Sequence, residues 1–449
     1  MSGFNEALLD DLPAGWEFDR MGNVADILFS NVDKHTFESE IPVRLCNYVD
    51  VYKNDRITRS IDFMEASAEP REIARFQIKK GDVLATKDSE TPDDIAIPAL
   101  VADDLPGVLC GYHLALIRPI PHKIQGDYLA WLHCSKYFRS HYETQAVGVT
   151  RFGLSQNAFK EARVPLPPLP EQHRIAAYLD ASCAAIDAAV AAKQRQIETL
   201  GSLRETVIQT AITQGLNPKI KMVTSDIDWI PSLPHHWRKV KLKRHVKMLR
   251  GQFTHRPRND PAFYDGPYPF IQTGSISAVD KYITEYSQTL NELGLSVSKM
   301  FPSGTIVMTI TGAKIAEVAV TTFDACFPDS IVGFIPDHAL NPDYLFYVLV
   351  AMKPALLGSM IVTTQPNINY VQIGGNYIPL PPMAEQEAIA RHIENEVARI
   401  KAIHGSLNQQ IETLTAYRKS LIHECVTGQR RITEADLLAI RKQNAAMPP

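Results

Sequence analysis

Pro165-Leu166-Pro167-Pro168-Leu169-Pro170-Glu171-Gln172 returns 214 residues later as Pro379-Leu380-Pro381-Pro382-Met383-Ala384-Glu385-Gln386. At that offset residues 165–213 and 379–427 share 19 identities over 49 positions, among them Ile197-Glu198-Thr199-Leu200 against Ile411-Glu412-Thr413-Leu414. Two copies so far apart do not make a solenoid, whose period runs to about 20–50 residues. They divide the chain into two like halves, each a variable globular part followed by a helix. The repeat marks a pseudo-dimer.

The repeated blocks carry a seven-residue apolar period. In the second, Ile393, Ile400, Leu407, Leu414 and Leu421 stand seven apart, with Val397 and Ile411 at alternate seam positions. In the first, Leu179, Ile186, Leu200 and Val207 hold matching places, Val190 and Ile197 strengthen the face, and Lys193 interrupts it. Such a repeat predicts a coiled-coil seam. About 43 residues rising ~1.5 Å each give a rod of roughly 64 Å. Glu171 and Glu385 fall in the first turn after a proline cluster, where a carboxylate suits the positive end of the helix dipole. The two stripes are alike, which predicts that they pair with each other.

Before each helix the chain is rich in strands and turns. Lys80-Gly81-Asp82-Val83-Leu84-Ala85-Thr86 and Ser303-Gly304-Thr305-Ile306-Val307-Met308-Thr309 read as matching turn-then-strand units. Leu12-Pro13 and Trp16 match Leu233-Pro234 and Trp237, and Asp127-Tyr128-Leu129 matches Asp343-Tyr344-Leu345, each opening a short apolar helix. Between these landmarks the halves diverge, as two sites of one kind with different specificity would. Gly215 to Ser232, with Asn217-Pro218 and Ile230-Pro231, reads as the linker between halves. The expected fold is α+β with a pseudo-twofold internal duplication: globular parts at 1–164 and 222–378, and helical regions at 165–221 and 379–449 whose two helices pair with each other.

Hydrophobic residues make up 45% of the chain and charged residues 21%, ordinary for a protein with buried cores. Met1-Ser2-Gly3-Phe4 does not open a signal peptide, and no run of about 18 apolar residues suggests a membrane span. Cys46, Cys110, Cys134, Cys183, Cys326 and Cys425 include no C-x-x-C pair, which argues against a zinc site or disulfide framework and for free thiols in a reducing cytoplasm. Net charge is −4, yet Arg238–Arg258 holds nine Lys and Arg residues, His245 and His255, and no carboxylate. That local excess suits a polyanion.

No self-sufficient active site is legible. Asn341-Pro342-Asp343-Tyr344 approaches the N-P-P-Y/F of adenine-N6 methyltransferases, but Asp343 replaces the second proline and no F-x-G-x-G donor loop exists. Its counterpart Gly126-Asp127-Tyr128-Leu129 reads as a helix start with Asp127 as cap. Gly312-Ala313-Lys314 lacks the ending of a phosphate loop, and His423-Glu424-Cys425 lacks a second histidine and reads as solvated helix. Polar and basic side chains at matched places remain. The first half offers Arg44, Asn47, Tyr48, Lys53 and Arg56 along a strand-like run, then Thr86 and Lys87. The second offers Gln272, Thr273, Ser275, Thr309 and Thr311, beside the basic Lys241, Lys243, Arg244, Lys247, Arg250, Arg256 and Arg258. Arg, Asn and Gln suit base edges; Lys and Thr suit phosphates and thymine.

The ordered combination resembles the specificity subunits of type I restriction-modification systems over nearly the whole chain. It rests on the two P-L-P-P-x-x-E-Q helices, the Trp16 and Trp237 segments, Ile227-Asp228-Trp229-Ile230-Pro231, Thr364-Gln365-Pro366-Asn367-Ile368-Asn369, and the closing Val426-Thr427-Gly428. Thr150-Arg151-Phe152-Gly153-Leu154 stands in the first half where the family has T-Q-x-N-I, a departure. The resemblance implies two target-recognition domains, each reading half of a bipartite asymmetric double-stranded DNA site, held apart by the two long helices pairing as an antiparallel coiled coil that acts as a ruler. It implies a non-catalytic chain that docks two methyltransferase subunits and works with restriction and translocase subunits. S-adenosylmethionine, ATP and magnesium would then sit on the partners, with no cofactor, metal or membrane bound by this chain. A standalone DNA-binding or anti-restriction protein of the same shape is the other reading.

Overall fold

The computed structural model describes residues 12–255, 258–312, 314–358 and 367–445. Two compact units emerge: Met1–Gln194 together with Asn408–Pro449, and Arg195–Leu407. The boundary falls inside two long helices, Leu169–Gln214 of 46 residues and Met383–Val426 of 44.

Each unit is built on the same five-stranded sheet. In the first its order is Ala25–Phe29, Leu114–Pro119, Val83–Thr86, Pro98–Val101 and Arg56–Ile57. In the second it is Val246–Arg250, Ile331–Pro336, Ile306–Thr309, Val318–Thr321 and Tyr282–Ile283. The last strand is parallel to its neighbour in both. Gly81 and Gly304, at φ 90° and 81°, turn the chain into the central strand, a conformation glycine adopts without steric cost. The additions differ. The first unit carries a three-stranded sheet, Met64–Ala68, Ile41–Cys46 and Val108–Cys110. The second carries two-stranded pairs, Tyr264–Pro269 with Thr289–Leu290 and Met300–Phe301 with Ala325–Cys326.

The E-Q of each repeated block locks its long helix to the sheet domain. Gln172 is fully buried; its Oε1 accepts the Gln125 N–H at 2.9 Å and its Nε2 donates to Lys123 O and Pro167 O. Gln386 repeats this with Asn341 N–H at 2.8 Å, Ala339 O and Pro381 O. Buried amides meeting every partner are a positional requirement, since an unmet one costs about 1–3 kcal/mol. Tyr128 and Tyr344, opening the helices Gly126–Cys134 and Pro342–Gly358, donate their hydroxyls to Pro165 O and Pro379 O at 2.9 and 3.2 Å. Asn341 caps its helix by accepting the Tyr344 N–H at 3.0 Å. In the first unit the cap position is Gln125, so Asp127 lies in the first turn rather than at the cap.

Within each unit the long helices pack antiparallel. In the first, Ile175, Leu179, Cys183 and Ile186 share one core with Leu421, Ile422, Cys425 and Val426. Arg418 meets Asp187 at 2.9 Å, and the interrupting Lys193 donates to Gln410 Oε1 at 2.5 Å. In the second, Ile208, Ala211 and Ile212 share a core with Ile389, Ala390 and Ile393, with Val397 packed against it. Ile400 and Leu407 are buried; Val190, Ile197, Leu200, Val207, Ile411 and Leu414 are half-buried. The heptad therefore drifts at Val207, where Ile208 takes the core position because the sheet domain is reached there. His423-Glu424-Cys425 is not solvated: Cys425 is fully buried.

Two further expectations change. The linker contains a hairpin, Met222–Ile227 with Ile230–Pro234, whose Ile227, Ile230 and Leu233 are buried in the second unit's core. The first long helix holds an 18-residue window of mean hydropathy 1.5, enough by length and composition alone to cross a membrane. Its alanines raise that average, and its Leu179 and Cys183 are buried against protein. All six cysteines are free thiols, and Cys46 and Cys110 face each other on parallel strands.

Candidate DNA interface

In the first unit polar groups converge on Asp88. Val83–Thr86 continues through Lys87 into Asp88-Ser89, which pairs with Phe152-Gly153, itself paired with Val147-Gly148. Asp88 accepts from Arg151 Nη2 at 2.5 Å through Oδ1, and its Oδ2 lies 2.8 Å from His113 Nδ1. Lys87 is half-buried, with Nζ 5.1 and 4.5 Å from the ring centres of Phe29 and Tyr112, and donates to Ser30 O. Burial lowers its pKa, the charge on Asp88 opposing. Tyr48 and Tyr52 stack at 5.5 Å and, with Ser89, Asp94, Thr150 and Arg151, line an open cleft of about 470 Å³. Arg151 and His113 enter this cluster, although neither stands among the candidates drawn from sequence; Arg151 was visible only as a departure from T-Q-x-N-I.

The other first-half candidates separate. The strand-like run breaks: Ile41–Cys46 is a strand, Tyr48–Lys53 a short helix, and Asp50 accepts the Asn47 N–H at 2.7 Å in a capping box. Asn47, with its side-chain amide against Met64 Sδ, is thus a cap, while Lys53 is exposed at the helix end. Arg44 is exposed and donates to Pro106 O at 3.1 Å. Arg56 is tied to Asp180 of the long helix at 2.6 Å, and Trp131 Nε1 donates to the same carboxylate. Thr86 is fully buried, its Oγ1 accepting the Ile97 N–H. That hydroxyl lies inside the sheet and reaches no DNA.

Thr309 repeats the pattern in the second unit: fully buried, it donates to Lys314 O and accepts the Glu317 N–H. Thr311 is half-buried and bridges Asn367. Gln272 is exposed at the start of the short helix Thr273–Ser277 and donates through Nε2 to Gln288 Oε1 at 2.8 Å, with Thr273 and Ser275 half-buried behind it. The basic run is free of acids in sequence but not in space. Asp226 pairs with Lys239, Asp337 with His245, Asp260 with His255 and Asp329 with Arg258, while Arg250 donates to Asp329 O. Lys241 lies over the Tyr377 ring at 5.4 Å. Lys243, Arg244 and Lys247 are exposed and carry no ion pair among the described residues. Arg256 and Thr364-Gln365-Pro366 lie outside the described residues.

Two copies of one sheet, each joined to a long helix through the same glutamine clamp and each presenting a different polar surface, define a duplicated recognition module. Residues 13–199 and 237–413 match the type I restriction modification DNA specificity domain, and the chain belongs to that family. The putative type I restriction enzyme MjaX specificity subunit of Methanocaldococcus jannaschii is 23% identical over 446 residues, covering 96% of this chain and 97% of that protein. The EcoKI specificity subunit of Escherichia coli is 22% identical over 359 residues, 76% of this chain and 73% of its own. Among solved structures, a chain from a study of type I R-M complex assembly and conformational transition superposes with TM-score 0.74 at 19% identity, covering 94% of this chain and all of that one. The HsdS subunit from Thermoanaerobacter tengcongensis superposes with TM-score 0.56 at 20% identity over 94% and 98% of the two chains.

Proposed function

We infer that this chain is the non-catalytic specificity subunit of a type I restriction-modification complex, and that each unit's sheet domain reads one half of a bipartite, asymmetric site in double-stranded DNA. The observation that carries this reading is the identical five-strand order in both units, surrounded by unlike additions. A shared scaffold preserves the mode of docking, and the divergent loops read different bases. The long helices run from one compact unit into the other. On this reading their length sets the spacing of the half-sites, and they dock two methyltransferase subunits, with restriction and translocase subunits completing the enzyme. S-adenosylmethionine, ATP and magnesium are bound by those partners, in the cytoplasm where the DNA is.

The test is exchange of residues 1–164 for the corresponding segment of a relative with a known target, followed by mapping of methylated adenines in a host carrying the methyltransferase subunits. One half-site changes; the other half-site and the spacer stay. A change in both half-sites, or in neither, overturns the reading.

A further inference from the structure

The backbone register identifies what has replaced the glutamine of T-Q-P-N-I-N in the first unit. Leu154 N–H donates to Lys87 O at 2.9 Å, as Ile368 N–H donates to Ile310 O at 2.9 Å. Gly153 pairs with Asp88 as Asn367 pairs with Thr311. Counting back, Arg151 occupies the sequence position of Gln365.

Arg151 is held unlike an ordinary surface arginine. Its side chain is 60% exposed, yet Nη2 is fixed at 2.5 Å from a carboxylate that is itself only 16% exposed. That carboxylate is gripped from its other oxygen by His113 Nδ1 at 2.8 Å. Ser89, on the same short strand, pairs with Phe152 and fixes the backbone beneath the arginine. The hairpin tip beside it projects into solvent, with Val147 and Val149 exposed at 78% and 91%. A Cβ at Gly148 would stand 2.0 Å from Arg151 O, so that the tight return behind the arginine tolerates only glycine.

We propose that Arg151, oriented by Asp88 and His113, reads a guanine in the half-site assigned to the first unit. A guanidinium presents N–H donors in a rigid fork that matches the O6 and N7 acceptors of guanine, whereas adenine and cytosine place an amino donor against it. A carboxylate behind the fork removes most of the rotamer freedom that a free arginine loses on binding. Glutamine at the same position is the complement of adenine through N6 and N7. The substitution at position 151 is therefore a change of base preference written into a shared scaffold, and Asp88 and His113 are positioning residues. This inference rests on the proposed function, because it requires that the first unit read DNA.

The experiment uses the complex of the full chain with its methyltransferase subunits, and reads the methylated motif genome-wide for wild type, R151Q, R151K and D88N. Domain exchange assigns the half-site. Wild type shows an invariant G·C pair there. R151Q loses discrimination at that one pair by about 5- to 150-fold, the range of a bidentate contact, and gains A·T. D88N relaxes the same pair alone. R151K, which keeps the charge and the partner of Asp88, folds as wild type by thermal melting and also relaxes it, because a lysine lacks the fork. An unchanged motif in R151Q and R151K overturns the proposal. So does a uniform loss at all sequences with discrimination intact, the mark of a phosphate contact. If domain exchange alters neither half-site, the proposed function fails first and this inference falls with it.

Discussion

Residues that looked alike in sequence divide by what surrounds them. Thr86 and Thr309 were candidates because they end a turn-then-strand unit, but that strand is third of five, and its hydroxyls are consumed inside the sheet. Asn47 belongs to a strand-like run by its sequence neighbours, yet Asp50 three residues on is the mark of a capping box. The acid-free run from Arg238 to Arg258 gains its acids from Asp260 just past its end and from Asp226, Asp329 and Asp337, none of which a count within the run includes. What survives is Lys243, Arg244 and Lys247. K243A and R244A are expected to weaken cognate and scrambled duplexes alike, each lowering the slope of log affinity against log salt by about 0.9, the signature of one lost phosphate contact. Fluorescence anisotropy across a salt series checks this. Buried groups give a second expectation. Burial holds His133 down to about 4, its Nδ1 on Leu129 O and Nε2 on Tyr142 OH. Unfolded histidine binds its proton near pH 6.5, so stability is intact above that value and is lost as pH falls toward 4, by on the order of 3 kcal/mol. Urea denaturation from pH 7 to 4.5 should show the decline, and H133Q should lack this component of it.

Long periodic elements were legible, as were the turn-then-strand units that end in Val83–Thr86 and Ile306–Thr309; the shortest pairings were not. The heptad placed both helices to within a few residues, because its apolar face is a one-dimensional pattern that local sequence carries in full. Pairs such as Val147-Gly148 and Phe152-Gly153 are two residues long and exist only through partners distant in sequence, so no window could find them. The seam is not uniform along its length. Leu421 is 1% exposed where the sheet domain closes over the helices, while Leu200 is half-buried. L421A is therefore expected to cost about 2–5 kcal/mol, the range for a fully buried leucine, and L200A markedly less. Chemical denaturation of the full chain, followed by circular dichroism, separates the two; equal losses would mean that the seam is equally buried throughout. The glutamine clamps at Gln172 and Gln386 were visible only as repeated letters. Their meaning appears once Gln125 and Asn341 are seen to need an acceptor at a buried turn.

At the scale of the molecule, duplication extends to the stitching between helix and sheet. Asp180 and Glu394, 214 residues apart, receive Arg56 and Lys281 from or beside the parallel edge strand. Gly215, φ 72°, lies against Trp237, and Gly428, φ 78°, lies against Pro13 and Trp16. Symmetry breaks in one detail. Trp237 Nε1 donates to Glu385 at 2.8 Å, whereas Glu171 is taken by Arg431 at 2.7 Å. R431A is expected to destabilise the first unit by about 3–5 kcal/mol, since it strands a nearly buried carboxylate. The equivalent change, W237F, removes one hydrogen bond and should cost only about 1–3 kcal/mol. Differential scanning calorimetry measures both.

One unit is a single stretch of chain and the other is not. Arg195–Leu407 is continuous, while Met1–Gln194 closes only with Asn408–Pro449, through Leu421, Cys425 and Gly428 against Leu179 and Trp16. On the ribosome, the part made first is therefore the part completed last. Roughly two hundred residues of the second unit emerge in the meantime, at about 5–20 residues per second. For those tens of seconds the apolar stripe at Ile175, Leu179 and Ile186 has nothing to cover it. A chain ended after residue 407 and released from the ribosome should be cut by protease within residues 12–194 and resist it within 222–407, and the full chain should resist it in both. Synthesis of this protein carries a period of exposure that its finished form conceals.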